Sequence, residues 1–149
     1  GGFSMDAPFP ESIKESYYER YFESLALLDT DGVEIIPQTM APFPWHFGGQ
    51  GFHRLFVDPQ DLIESQKWFN FKFCMDFSHT FMSCSHLKID FYNSLQEVSH
   101  LFDYMHVADA IYPAEEGIGI GDGNIDFRKL KKFINDKTLC GFLKFGMVI

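Results

Sequence analysis

No apolar run in the chain approaches the ~20 residues that a membrane-crossing helix needs, which removes a transmembrane reading. Cations are scarce: 12 Lys and Arg stand against 21 Asp and Glu, for a net charge of -9. Nucleic-acid binding draws most of its affinity from Lys and Arg that displace phosphate counterions, so this balance argues against a DNA or RNA partner. Cysteine is also scarce. Cys74, Cys84 and Cys140 are odd in number and have no metal-type spacing, which suits free thiols in a reducing compartment better than a disulfide framework. No signal-peptide pattern opens the chain, and Gly1 in place of Met reads as an expression-tag remnant, so a cytoplasmic location is expected. At 149 residues the chain is expected to form a single domain, 1–149.

Apolar and aromatic residues are plentiful, with 46% hydrophobic content and 18 Phe, enough for a core. Ile13, Tyr17, Tyr21 and Leu25 recur at helical spacing and predict a helix over 11–28, closed by the turn residues Asp29 to Gly32. Strands are expected at Val33–Ile36, Phe71–Met75, Tyr104–Val107 and Thr138–Phe145. Between them come a long Pro- and Gly-punctuated loop, Pro37 to Arg54, and a helix from Asp58-Pro59 to about Trp68. A loop holding Ser83-Cys84-Ser85, a helix near Ser94–Leu101, a loop Ala108–Asn124 and a short basic helix Asp126–Ile134 complete the reading. Strands alternating with helices predict an α/β fold with a parallel sheet. Ala-Pro-Phe-Pro occurs at both Ala7 and Ala41, too short a string to argue duplication.

Polar clusters follow two of the apolar runs. Asp76-Phe77-Ser78-His79 comes after Phe71–Met75, and His106-Val107-Ala108-Asp109 after Phe102–Met105, at the strand ends where a βα barrel carries its chemistry. A carboxylate with imidazoles suits Mn, Zn, Co or Fe, and added oxygen ligands tilt the set toward Mn or Mg. A capping Asp with a surface His is the ordinary alternative for the first cluster, and a packed core His for the second. Asp109, three residues past His106, is placed to orient its imidazole as a carboxylate behind it. Lys129, Lys131 and Lys132 read as a solvated face, Glu34 as structural, and Glu115 as part of an acidic turn.

Together D-x-S-H, H-x-x-D-A and the run Glu116-Gly117-Ile118-Gly119-Ile120-Gly121-Asp122-Gly123-Asn124-Ile125-Asp126-Phe127 resemble the xylose-isomerase-like TIM barrels, the superfamily of sugar isomerases, epimerases and endonuclease IV. The stretch Pro37 to Gln50 is similar to the first loop of the sugar phosphate isomerase/epimerase branch associated with sialic-acid-type sugar synthesis. The resemblance implies a metal held by Asp76, His106 and Gln38, the last a weak ligand where most of the superfamily has Glu. It also implies that His79 and Glu116 meet the sugar as catalytic groups; Trp45, whose ring can stack on a sugar, His46 beside the Gly-rich loop and Asp109 are the candidate substrate contacts. Since a whole βα barrel takes ~250 residues, the four strands resemble the last four of eight: a parallel half-barrel, completed by self-association. The implied function is metal-dependent proton transfer on a sugar or sugar phosphate, with a truncated and weakened chain here. A non-catalytic sugar-binding or association module of a sialic-acid-type synthase system is the alternative, and the charge makes an endonuclease improbable.

The family's ending resembles F-I-P-E-I-W-x-G-H, whose Glu is a metal ligand, whereas this chain ends Phe142 to Ile149. Codons for that ending, read one frame over, can spell Pro-Glu-Ile-Trp-His-Gly-His, so a single-nucleotide frameshift is the expectation. If the strands are parallel neighbours, Gln38, Asp76 and His106 should end on one rim, with His79 beside them and the Glu116 loop above.

Overall fold

Three aspartates start three helices. In the computed structural model, which describes residues 3–4, 7, 10–43, 45–46, 49–68, 72–135 and 140–143, the side chains of Asp58, Asp76 and Asp90 accept the backbone N–H of Gln60 (2.9 Å), His79 (3.2 Å) and Asn93 (2.8 Å). Each satisfies an amide that the first helical turn would otherwise leave unbonded.

In chain order the elements are β1 (Phe3–Ser4), a 3-10 turn (Glu11–Ile13) leading into α1 (Lys14–Ala26), the short strands β2 (Trp45–His46), β3 (Gly49–Gln50) and β4 (Phe52–His53), α2 (Pro59–Ser65), β5 (Phe73–Asp76), α3 (Phe77–Leu87), α4 (Phe91–Val98), β6 (Phe102–Val107), β7 (Asp109–Ile111), β8 (Glu115–Ile118), α5 (Phe127–Asn135) and β9 (Cys140–Leu143). β5, β6 and β9 form a parallel sheet in that order. An isolated parallel bridge from Gln38 to Cys74 extends it on the β5 side.

The expected strand Val33–Ile36 does not form. Val33 is exposed and residues 33–36 make no ladder. Strand pairing comes later, where the Pro37 carbonyl accepts Cys74 N–H (2.8 Å) and Thr39 N–H reaches the Cys74 carbonyl (3.1 Å). Proline lacks the donor a ladder needs but keeps its acceptor, so the pairing begins with its carbonyl. Ser83-Cys84-Ser85, expected in a loop, lies within α3. The expected Ser94–Leu101 helix begins at Phe91, and Ala108–Asn124 folds in part as the antiparallel hairpin β7–β8. Of the last expected strand, 140–143 pairs with β6, and the rest lies outside the described residues.

One apolar cluster draws on each of α1 to α5, including Phe22, Leu62, Phe77, Leu95 and Leu130, together with Phe73, Met75, Phe102 and Met105 of the sheet. All of β5 is buried, as a parallel strand covered on both faces should be. Within α1 the centre of the buried stripe is Tyr18 and Phe22, flanked by Tyr17, Tyr21 and Leu25. The Tyr18 hydroxyl donates to Asp61 (2.9 Å) and accepts Phe56 N–H (2.6 Å), while Lys14 donates to Asp61 (2.8 Å). Burial pushes the Asp61 carboxyl upward, opposed by the Lys14 and Tyr18 hydrogen bonds. Since Met40 N–H bonds to the Phe56 carbonyl (2.9 Å), this network fixes the base of the loop that carries Gln38 and Thr39. No helix among the described residues is long and apolar enough to cross a membrane.

Candidate active site

Asp76 and His106 are register partners on adjacent parallel strands. Paired positions on neighbouring strands send their side chains to the same face ~4.8 Å apart, which brings these two together. Asp76 Oδ2 lies 3.5 Å from His106 Nδ1 and 3.6 Å from His79 Nδ1, and accepts Gln38 Nε2–H at 3.1 Å. Its other oxygen accepts Ser78 Oγ–H (2.8 Å) and caps α3 through His79 N–H. The Asp76 side chain is wholly buried, whereas His79 and His106 are 11% and 31% exposed, so a sealed carboxylate underlies two imidazoles that reach the surface.

His79 Nδ1 is 2.9 Å from the Thr39 carbonyl. In the tautomer that donates this bond, Nε2 faces Glu116 Oε2 at 4.0 Å. That gap exceeds a direct hydrogen bond, and it sets two proton acceptors side by side. Glu116 Oε2 is shielded from solvent and has no hydrogen-bond partner among the described residues. A cavity of about 370 Å³ adjoins it, lined by Phe43, Met82, Pro113, Glu115, Glu116 and Ile118. A second cavity of about 290 Å³ contains Lys14 and Arg54, both already paired with acidic neighbours, Lys14 with Glu11 and Asp61 and Arg54 with Glu11.

Gln38, Asp76, His79, His106 and Glu116 thus meet at one rim of the sheet. Asp109 does not join them. Its carboxylate is fully buried and accepts four backbone N–H groups, from Ala110 (2.8 Å), Gly121, Gly123 and Ile125 (3.0 Å each). The expected substrate contact and the orienting of His106 therefore give way to a loop-holding role. Trp45 and His46 pair with Gln50 and Gly49 through the β2–β3 hairpin, and their side chains lie outside what the structure describes. The sequence reading gave no weight to Thr39, which is 3% exposed and central: its hydroxyl accepts Asp76 N–H (2.9 Å) and Thr80 Oγ–H (3.1 Å). Its position immediately after Gln38, at the sheet's rim, was the available signal.

The donor set falls short of a closed metal site. Among the described residues no group of three or more His, Cys, Asp or Glu is arranged to hold an ion. Asp76 and His106 provide two donors, Gln38 turns its amide N–H rather than its carbonyl toward Asp76, and His79 Nδ1 is engaged by Thr39. Zinc sites take three or four protein ligands.

A family model described as xylose isomerase-like TIM barrel matches residues 1–147, so the chain belongs to that family. Divalent metals are common in it. No curated protein and no solved structure matches the chain.

Proposed function

We propose that this xylose isomerase-like TIM barrel protein is a sugar isomerase or epimerase in which His79 and Glu116 exchange protons with the substrate above the buried Asp76. The observation that carries the reading is the approach of His79 Nε2 and Glu116 Oε2 to 4.0 Å at the rim where Asp76 and His106 meet. One of the pair takes the proton from the carbon beside a sugar carbonyl, breaking C–H and leaving an enediol. The other holds or supplies the proton on oxygen. Returning the proton to the neighbouring carbon isomerises the sugar, and delivery of a proton by the other residue to the opposite face of the same carbon, the first keeping the one it took, epimerises it, with no net proton change. Positioned acid/base groups of this kind contribute about 10²–10⁴-fold.

Asp76, His106 and Gln38 form the polar floor that orients the sugar oxygens. A divalent ion would take Asp76 and His106 as its ligands, but with two donors in place no step is assigned to it. A sugar or a sugar phosphate is the substrate class, in the sialic-acid-type branch, and completion of the sheet by a second copy is part of the same proposal. It is supported by the sequential parallel order β5, β6 and β9, extended by the single bridge at Gln38, which covers part of the eight positions a barrel uses.

The test is deuterium uptake from D2O into free and phosphorylated aldoses, ketoses and amino sugars, with Mn, Mg, Zn or Co and with none. Exchange is expected at the carbon next to the carbonyl, and His79→Gln and Glu116→Gln should each reduce it about 100-fold. Sugar binding without exchange in any of these mixtures would favour the non-catalytic module instead.

A further inference from the structure

We propose that Asp109 is a positioning residue that sets where Glu116 stands opposite His79, by gathering the loop between β7 and α5 onto one carboxylate. This rests on the acid/base reading of His79 and Glu116. Among the described residues, the hydrogen-bond partners of the Asp109 side chain are all backbone N–H groups of the stretch from Ala110 to Ile125. Oδ1 accepts Ala110, within β7 just ahead of the loop, and Ile125 near the loop's end, and Oδ2 accepts Gly121 and Gly123 between them. The side chain is 0% exposed. A buried residue serving only as core packing would not need an acceptor at all four points.

The path from Asp109 to Glu116 is short. Ala110, next in sequence, is the register partner of Glu116 across the hairpin, and its carbonyl accepts Asn124 N–H at 2.9 Å. Ala110 also packs with Met82 of α3, the helix that carries His79. Glu116 is therefore referred to His79 through two contacts, the hairpin pair and the Ala110–Met82 packing, both set by where Asp109 holds the loop. Gly123 passes so close that a Cβ there would strike the Asp109 carboxylate and the Ala110 carbonyl, so close approach at this point requires glycine. Displacing a reacting group by about 1 Å can cost about 100-fold in rate.

All four partners are donors, so only an acceptor-only carboxylate satisfies them. Asp109→Asn keeps the shape but turns an NH2 toward N–H donors. Amide hydrogen exchange on the wild-type and Asp109→Asn chains should show protection falling at least about tenfold for Gly121, Gly123 and Ile125 and unchanged for β5, β6 and α3. With the sugar that exchanges best, kcat should fall about 100-fold with KM nearly unchanged, and Asp109→Asn combined with Glu116→Gln should be no slower than Glu116→Gln alone. Gly123→Ala should reproduce the single-variant pattern. Protection lost evenly through the chain would overturn the proposal, as would a double variant clearly slower than Glu116→Gln. Amide exchange needs no substrate, so if no sugar reacts, the sugar reading fails while loss of protection confined to the loop, or its spread through the chain, still decides the role of Asp109.

Discussion

Asp76 concentrates more structure on one side chain than any other residue of the site: it caps α3, accepts Ser78 and Gln38, and underlies both imidazoles. Asp76→Ala removes a cap worth about 1 kcal/mol and strands two donors, a loss of about 2–4 kcal/mol in all, to be read from the urea midpoint. The convergence of Gln38, Asp76, His79 and His106 was legible because they lie at or just past the ends of apolar runs, and strand ends on one rim are neighbours; Glu116 was marked by the glycine-rich run that follows it. The role of Asp109 was not. Sequence position cannot separate a carboxylate facing substrate from one facing its own backbone, since the deciding partners are amides with no side-chain signature. The buried thiols give a second expectation. Burial, the largest cause, pushes Cys84 up to about 12 and Cys74 to about 11 from the ordinary 9.0. The native chain then keeps both protons above pH 9 while the unfolded chain loses them. Stability is fully present below pH 9 and declines as pH rises through the folded values, by about 1.4 kcal/mol per pH unit per thiol. Denaturant melts at pH 8 to 10 should show the decline, and Cys84→Ala should remove about half of it.

At the level of elements, α3 is where propensity and context disagree. Ser83-Cys84-Ser85 reads as a break because these residues form helix weakly, by about 0.5 kcal/mol each. Packing overrides that: Cys84 is fully buried and Ser83 Oγ–H bonds to the Met40 carbonyl at 3.0 Å. The helix stops at Lys88, which is left-handed (φ 59°), with Ile89 N–H returning to the Cys84 carbonyl at 3.0 Å. A side chain in that conformation costs about 1 kcal/mol that glycine avoids, so Lys88→Gly should raise the urea midpoint by the equivalent of about 1 kcal/mol with an unchanged slope. The helices over 11–28, from Asp58-Pro59 and near Ser94 and Asp126 were legible from spacing and turn residues, whereas α3 was not. The failed strand at 33–36 was not, because four apolar-leaning residues before a proline look the same whether or not a partner strand lies beside them.

For the whole molecule, parallel α/β architecture and family were readable from strand–helix alternation and the motifs, whereas closure into a ring depends on pairings that no single strand's sequence encodes. If a second copy completes the sheet, light scattering should give twice the chain mass at micromolar concentration, and a stable monomer would exclude closure by self-association. The loop above the site has a property of another kind. Because it leaves and re-enters the fold at one oxygen of Asp109, its ends are fixed to each other independently of its tip. Residues 112–114 and 118–120, on either side of Glu116, can therefore change in composition while the sheet and α5 keep their places, so substrate preference can diverge by drift there without moving the anchor at Asp109.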